Sequence, residues 1–308
     1  YEIRLSLVGS EMCIRDSSFI VRFVEARGTR ARGVECGRRR RRDYYFFRAF
    51  GEIHSMANAA ANELRAGTRL GESGRYVVGE LINRGGTAVV YRGTDEETRR
   101  EVALKCVDVS ENASMRVPLR AVKREIKYST RLMDSTRRAD AAARARVVRL
   151  LNVVRRDESL LVLVFELCEG SYVLDHINAR GGSLRESEAR TLFAQLVEAI
   201  KTIHDHGFCH RDVKPENAVV GKEGLKLIDF GLAKGLESAN TRAIGTPDYM
   251  APELLDKTDA DGNPKREKYD ATACDVWSAG VFLYIMLTGR YPCLLYTSDA
   301  ADEGLGVD

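Results

Sequence analysis

The chain has 308 residues, of which 44% are hydrophobic and 30% charged, as expected of a globular protein with a packed core. Its net charge of +3 gives no reason to expect a nucleic acid or a membrane as partner, and the longest apolar runs, such as 281–287, are too short to span a bilayer. The seven cysteines lack metal-ligand or disulfide spacing, which favours a cytoplasmic or nuclear protein.

Residues 1–17 and 293–308 resemble translated sequencing adapters. When 12–16 are written as ATG TGT ATA AGA GAC followed by AG, the reverse complement, read one base in, spells the five residues at 293–297. Adapters at the two ends of a coding fragment would produce such an inverted repeat. If the ends were natural polar tails, the match would have to be a coincidence. We therefore expect natural sequence from about residue 18 to 292, continuing beyond it, and a weakly active or inactive chain as it stands.

Residues 18–74 are expected to be a disordered or leader-derived extension, because they show no sustained helical or strand period. The arginine run at 38–42 would suit a nuclear signal or a patch for an anionic surface. Met56 is the first methionine outside the suspected adapter, so translation could begin there.

The first strand pattern lies at 76–91 and predicts a hairpin with a glycine-containing turn. Residues 101–105 then predict a strand that carries Lys105 among apolar neighbours. Because an unpaired buried ammonium is costly, Lys105 either faces solvent at an edge or pairs with an acidic group. A helix is predicted over 118–133, and we choose its Glu125, 20 positions after Lys105, as the partner.

Further strands are predicted at 147–151 and 160–167, followed by helices at 187–206 and 274–287. The first of these helices has a clear apolar stripe and ends at Gly207, a sensible C-cap. It leads directly into the most informative stretch of the chain.

That stretch reads His-Arg-Asp-Val-Lys-Pro-Glu-Asn at 210–217 and Asp-Phe-Gly at 229–231, with a predicted strand at 225–228. Asp212, Lys214 and Asn217 thus share one loop, and Asp229 follows the next strand. Hard oxygen ligands suit Mg²⁺, and a lysine beside them suits a transferring phosphoryl group. The pattern is typical of phosphoryl transfer.

These motifs resemble eukaryotic-type serine/threonine protein kinases, most closely the calcium/calmodulin-dependent group. The resemblance implies an α+β, two-lobed kinase fold. The N-lobe at 75–166 would hold a five-stranded sheet with one main helix, and the mostly helical C-lobe at 167–292 would be incomplete. A docking segment, Gly-Thr-Pro-Asp-Tyr-Met-Ala-Pro-Glu at 245–253, follows the loop.

The resemblance also assigns residue roles for ATP-dependent phosphoryl transfer. Asp212 is the catalytic base, Lys214 neutralises the transferring group, and Lys105 pairs with Glu125. Asn217 and Asp229 hold Mg²⁺, with Asp275 tying the loop from below. Phe165 is the gatekeeper of the nucleotide pocket, and 166–168 is the hinge. The implied ATP contacts are Ile82, Asn83, Gly85, Ala88, Val90, Ala103, Lys105, Phe165, Glu166, Cys168 and Val219.

The chain departs from the family pattern at three positions. Asn83 and Ala88 stand where the family has glycines, and Ser129 where many members carry a large apolar residue. These departures favour the alternative of a pseudokinase scaffold or nucleotide-binding interaction module. The presence of Lys105, Asp212, Asn217 and Asp229 argues for an enzyme. A small-molecule kinase, the third possibility, is disfavoured by the docking segment.

The resemblance further implies protein substrates and an upstream kinase. An arginine such as Arg211 usually awaits a phosphate, for which Thr241 and Ser238 are the candidates, with Thr241 preferred. Glu216 could favour a basic residue ahead of the target serine, but Tyr172 stands where basophilic relatives often place a second acid.

Overall fold

The computed structural model describes residues 64–85, 88–110, 119–133, 145–237, 244–255 and 269–292, together with the backbone of three N-terminal strands. Those strands, β1 (Glu2–Leu7), β2 (Ser10–Arg15) and β3 (Arg22–Glu25), form an antiparallel sheet in that order. The chain divides into two compact units, residues 1–122 with 150–167 and residues 123–149 with 168–308. The adapter interpretation of the two ends stays a prediction.

A six-stranded antiparallel sheet dominates the first unit, in the spatial order β4-β5-β6-β7-β9-β8. Its strands are β4 (Arg69–Leu70), β5 (Tyr76–Arg84), β6 (Val89–Asp95), β7 (Arg100–Asp108), β8 (Leu150–Arg155) and β9 (Leu160–Glu166). The five strands predicted for residues 75–166 are all present, and the sheet has a sixth strand that lies before residue 75. The extra strand, β4, has only two residues, too few to show a period, and it pairs with β5.

One face of this sheet carries the core of the unit. Alternate side chains of a strand point to opposite faces, so Val102, Leu104 and Cys106 of β7 are buried together. They join one hydrophobic cluster, which contains Leu64, Leu70, Tyr76, Val78, Tyr91, Val102, Leu104, Cys106, Val154, Leu160, Val162 and Val164. Ala103 and Lys105 therefore lie on the opposite face.

An ion pair closes the base of the β5–β6 hairpin. Arg75 donates to Asp95 from Nε at 2.9 Å and from Nη2 at 2.7 Å. The guanidinium holds the pKa of Asp95 at about 2, below its ordinary value of 3.8. The Asp95 side chain is only 6% exposed, so the pair is shielded from water on that side.

The second unit is mostly helical. Its helices are α1 (Leu119–Met133, from Lys123 onward), α2 (Val173–Ala179), α3 (Glu186–Asp205), α4 (Pro252–Leu255) and α5 (Ala271–Thr288). Its strands are β10 (Gly170–Tyr172), β11 (Phe208–Cys209), β12 (Ala218–Gly221), β13 (Gly224–Leu227) and β14 (Lys234–Gly235). They form two small sheets, β10-β12-β13 and β11-β14.

The predicted helices are confirmed to within three residues at each end. The apolar stripe of α3 packs inward, and Gly207 after it adopts a left-handed φ of 77°, as its place after the last turn suggested. Helix α1 groups mainly with this unit. Its Tyr128 stacks on Phe208 at 4.8 Å between ring centroids and accepts from the Gly235 backbone N at 2.6 Å.

Helix α5 is longer and more apolar than the sequence suggested. Its 18 residues have a mean hydropathy of 1.4, which satisfies the length and composition of a membrane span. Within the protein, 61% of that window is buried, as in the core helix of a folded domain. The run at 281–287 alone had indicated a segment too short for this.

The predicted strand at 147–151 is displaced. Val147 forms a bridge with Leu227, and the Val148 backbone N donates to the Leu227 carbonyl at 3.0 Å, both within the second unit. The sheet strand begins only at Leu150. An apolar run indicates an extended segment but not its partner, which is why the prediction began three residues early.

Candidate active site

Asp212 is the centre of a polar cluster on the loop between β11 and β12. Its Oδ1 accepts from the Thr246 backbone N at 3.1 Å and from Thr246 Oγ1 at 2.7 Å. Its Oδ2 accepts from Asn217 Nδ2 and lies near Lys214 Nζ, both at 2.9 Å. The Asp212 side chain keeps 13% exposure, so the carboxylate is held in place while an edge stays accessible.

Thr246 links the loop to the docking segment. Lys214 Nζ donates to Thr246 Oγ1 at 2.7 Å while also pairing with Asp212. Thr246 immediately precedes the 3₁₀ turn Pro247–Tyr249, so one hydroxyl connects the Asp212 carboxylate, the Lys214 ammonium and the docking segment. The site therefore fixes a carboxylate and an ammonium side by side.

Asp275 supports the loop from α5. This carboxylate is 1% exposed. Its Oδ2 accepts from the His210 backbone N at 2.8 Å and lies 2.9 Å from His204 Nε2, and its Oδ1 accepts from the Arg211 backbone N at 2.7 Å. A buried carboxylate with several donors fixes its surroundings firmly, because each lost bond would leave a buried polar group unpaired.

Two residues of the site have left-handed backbone angles although neither is glycine. Arg211 has a φ of 68° and Asp229 a φ of 64°. Such angles cost about 1–3 kcal/mol each and persist only where neighbouring bonds enforce them. Arg211 Nε donates to the Leu232 carbonyl at 2.8 Å, and Asp229 Oδ1 accepts from the Gly231 backbone N at 3.0 Å.

Gly245 is required by close approach. Its φ is 137°, and a Cβ at this position would lie 2.6 Å from the Arg211 carbonyl oxygen. A contact under 3 Å with backbone is not tolerated by real Cβ atoms. The docking segment can therefore pass this close to the catalytic loop only with glycine.

His210 and Phe230 pack against each other beside Asp212 and Asp229. His210 Nε2 donates to the Ile228 carbonyl at 3.1 Å while Nδ1 accepts from the Asp212 backbone N at 3.3 Å, bonds that define the tautomer. Phe230 is fully buried and meets the His210 ring at 5.2 Å between centroids. Glu125 on α1 is 4% exposed, and its Oε2 lies 3.9 Å from the position a Cβ on Gly231 would take.

Asn217 and Asp229 fit the donor set for magnesium. Asn217 Nδ2 donates to the Asp212 carbonyl at 2.8 Å as well as to its carboxylate, so the amide nitrogen is turned toward Asp212 and the amide oxygen away from it. The Ile228 backbone N donates to the Asn217 carbonyl at 2.9 Å, which places Asn217 beside the residue preceding Asp229. An amide oxygen and a carboxylate are hard ligands of the kind Mg²⁺ prefers.

A family model described as the protein kinase domain matches residues 76–303. The chain belongs to the protein kinase family. CBL-interacting protein kinase 24 of Oryza sativa subsp. japonica is 38% identical over 71% of this chain and 44% of that protein. Calcium-dependent protein kinase 8 of the same plant is 33% identical over 90% of this chain and 50% of that protein. Sperm motility kinase 3A of Mus musculus is 35% identical over 71% of this chain and 39% of that protein. This kinase chain thus spans about half the length of the curated relatives it matches or less.

These relatives bear out the predicted family and its calcium/calmodulin-dependent group. They also bear out the predicted α+β kinase fold. The roles of the individual residues stay predictions, whereas the structure shows where those residues lie.

The sheet of the kinase collects several predicted nucleotide contacts on the face opposite its core. Val90 lies directly across from Lys105, and Ala103 directly across from Phe165. Residues opposed in this way share a face. Lys105, Ala103 and Val90 are half-buried there, and Phe165 is 6% exposed.

The glycine-containing turn of the kinase is more open. Ile82 is 40% exposed, Asn83 and Gly85 are exposed, and Ala88 is half-buried. The Gly85 backbone N donates to the Ala88 carbonyl at 3.0 Å. Neither Asn83 nor Ala88 has a positive φ, so the backbone here does not need the glycines that the family pattern carries.

The remaining predicted positions are half-buried. Glu166 ends β9, Cys168 follows it, and Val219 lies on β12 opposite Lys226. Val219 and Glu125 belong to the second unit and Lys105 to the first, so the Lys105–Glu125 pair stays a prediction. The candidate phosphorylation positions Ser238 and Thr241 lie outside the described residues.

Sequence reasoning missed two residues of this site. The sequence placed Thr246 only within the docking segment, although its hydroxyl binds both Asp212 and Lys214. His204 had no assigned role, although it reaches Asp275 across 71 positions of sequence. The available signals were the Gly-Thr-Pro motif and a histidine in the last turn of the helix preceding the loop.

Proposed function

We propose that the protein is an ATP- and magnesium-dependent kinase that transfers the γ-phosphoryl group to serine or threonine hydroxyls of protein substrates. The observation that carries this proposal is the bonding of Thr246 to both Asp212 and Lys214 at 2.7 Å. That hydroxyl ties the predicted base and the predicted neutralising lysine to the segment on which a substrate would dock. A scaffold without chemistry has no need of this arrangement.

In this mechanism Asp212 orients the substrate hydroxyl and accepts its proton. The carboxylate suits the task because Thr246 and Asn217 hold both of its oxygens while it stays partly accessible. Lys214 balances charge that develops on the transferring group. Since most of phosphoryl-transfer catalysis is positioning and electrostatics, a rigid pair of opposite charges is the main contribution of the loop.

Asn217 and Asp229 would hold magnesium, and Lys105, paired with Glu125, would hold the nucleotide phosphates. Bound Mg²⁺ and ATP supply the phosphoryl group and offset its negative charge. The half-buried face with Val90 and Ala103 would pack against the adenine, since nucleotide pockets are largely apolar.

The test is phosphate transfer from ATP to a generic serine peptide by the full-length protein. We expect Asp212→Asn to lower kcat by about 10²–10⁴-fold, as for loss of a general base. Asp205→Asn, at the exposed end of α3, is the matched control and should keep full activity. If Asp212→Asn leaves the rate unchanged while ATP still binds, the scaffold alternative is the correct one.

Regulation by an upstream kinase belongs to the same proposal. Arg211 is 8% exposed, and its Nη2 makes no hydrogen bond to any described residue. A phosphate on Thr241 or Ser238 would provide the acceptors for such a donor. Thr241→Ala should then abolish activation by phosphorylation, and retained activation would point to Ser238. We place the protein in the cytoplasm or nucleus, which imaging of a tagged full-length protein tests.

A further inference from the structure

Glu216 has a carboxyl that the phosphoryl-transfer machinery does not use. It lies on the 3₁₀ turn Pro215–Asn217, two positions after Lys214. An open carboxylate beside a catalytic loop would attract a lysine or arginine of the substrate. Whether Glu216 can do so depends on what already occupies it.

In the structure one oxygen of this half-buried carboxyl is held by the first member of a tyrosine pair. The Tyr249 hydroxyl donates to Glu216 Oε2 at 3.1 Å, and the Tyr291 hydroxyl lies 3.2 Å from that of Tyr249. The two rings meet edge to face with centroids 5.6 Å apart. Tyr249 is 2% exposed, so its hydroxyl needs partners inside the protein. We call Glu216, Tyr249 and Tyr291 the Glu216 brace.

The brace also fixes the docking segment. Ser278 Oγ on α5 donates to the Tyr249 carbonyl at 2.7 Å, so Tyr249 is held at its backbone and at its hydroxyl. Glu216 therefore connects the catalytic loop to the docking segment. This structural role accounts for the carboxyl without a substrate cation.

The electrostatic surroundings of Glu216 agree with this role. Burial raises the pKa of Glu216, and burial also raises the pKa values of Tyr249 and Tyr291. Lys214, the nearby cation, is already paired with Asp212 and bonded to Thr246. In the part of the chain that the structure describes, no lysine, arginine or histidine forms an ion pair with Glu216.

We propose that Tyr291 is a specificity-determining residue. Through Tyr249 it holds the Glu216 carboxyl against the protein interior, so the enzyme does not require a basic side chain ahead of the target serine or threonine. Tyr172 agrees with this, because a half-buried tyrosine stands where a second acid would have been expected. The inference rests on the proposed kinase activity and replaces the earlier expectation that Glu216 favours a basic substrate.

The experiment compares two peptides that differ only in having arginine or alanine at the second and third residues before the serine. For the unaltered full-length protein we expect kcat/KM for the two peptides to differ by less than about threefold. Tyr291→Ala should raise the preference for the arginine peptide to about tenfold or more, because Glu216 becomes open to a cation. Adding Glu216→Gln should remove that gain.

Two further variants guard against a folding defect. Tyr291→Phe keeps the ring and removes only the hydroxyl, and it should give part of the same shift with an unchanged melting temperature. Tyr284→Phe, a half-buried tyrosine elsewhere on α5, should change nothing. If Tyr291→Ala does not fold, Tyr291→Phe decides.

Binding of the same labelled peptides to Asp212→Asn protein, followed by fluorescence anisotropy, gives the selectivity without turnover. A strong preference for arginine in the unaltered protein that Glu216→Gln abolishes would overturn the inference, as would an unchanged ratio in both Tyr291 variants. Absence of phosphorylation of either peptide would instead count against the proposed function. The two failures are therefore distinguishable.

Discussion

The glycine-containing turn of the sheet and the catalytic loop make opposite use of the backbone. In the turn, Gly85 is exposed and lacks a positive φ, and a Cβ on it would meet its nearest neighbour, the Ala88 carbonyl oxygen, at 3.7 Å. In the catalytic loop at 210–217, Arg211 adopts a left-handed angle although it carries a side chain, and Asp229, after β13, does the same. Gly85 is thus relaxed, whereas Arg211 and Asp229 are strained.

The difference follows from what each region has to present. A phosphate-binding turn offers backbone N–H groups, so its side chains can vary if the backbone stays accessible. A catalytic loop must place particular side chains, and Asp275 stabilises the backbone angle that Arg211 adopts there. Residues that differ from the family motif are therefore expected to impair function less in the turn than in the loop.

The largest effect should come from Asp275→Ala. It leaves the backbone N–H groups of His210 and Arg211 and the ring of His204 without their acceptor, which we expect to cost about 3–5 kcal/mol of stability. Because the loop is then no longer anchored, kcat of the variant should fall about 100-fold or more. Phosphate transfer and thermal unfolding measure the two effects.

Asp270→Ala is the control for that variant. Asp270 caps the same helix from an exposed position through the backbone N of Thr272, and losing it should cost only about 1 kcal/mol. Equal effects of the two substitutions would show that the loop does not depend on Asp275.

A direct test of the contrast compares Gly245→Ala with Gly85→Ala. The first places a Cβ 2.6 Å from the Arg211 carbonyl at a φ of 137°, and we expect a loss of about 2–3 kcal/mol and of most activity. The second meets only a van der Waals contact of 3.7 Å and should be nearly neutral in stability. Unfolding in urea gives both values. A Gly85→Ala variant that is the less stable of the two would contradict the contrast.

A smaller effect is expected from restoring the family glycines with Asn83→Gly and Ala88→Gly together. Because neither position has a positive φ, the backbone gains no conformation it lacks. KM for ATP should change by no more than about threefold, with kcat unaffected. A tenfold fall in KM would mean that these two side chains obstruct the phosphates.

The smallest effect is expected from Arg75→Gln, at the base of the β5–β6 hairpin that carries the glycine-containing turn. Asp95 has a folded pKa of about 2, below its ordinary 3.8, so its pairing stabilises fully above about pH 4 and is lost as pH falls toward 2. At pH 7 we expect Arg75→Gln to lower Tm by roughly 2–4 °C, a difference that narrows below about pH 4. If the difference in Tm between Arg75→Gln and the unaltered protein does not change with pH, the ion pair is not its cause.

Local patterns in the sequence predicted the long elements well. Helix α3 was expected at 187–206 and runs Glu186–Asp205, because its apolar stripe records which side faces the core. The loop motif likewise brought Asp212, Lys214 and Asn217 together correctly.

What could not be predicted depends on contacts between distant residues. Val147 pairs with Leu227, and Thr246 bonds to Asp212 across 34 positions of sequence. Neither contact produces a periodic pattern of apolar residues that could be recognised in the sequence. The tautomer of His210 and the left-handed angle of Asp229 are likewise set by neighbours that only the fold supplies.

The carboxylate of Asp275 has one more consequence, for the newly made chain before it folds. An 18-residue helix with a mean hydropathy of 1.4 has the length and composition of a membrane span. A central aspartate adds about 2.5–3.5 kcal/mol to the free energy of inserting a helix into a bilayer, and one nearer the end, as here, adds less. The group that anchors the catalytic loop in the folded kinase thus also opposes the entry of α5 into lipid during synthesis.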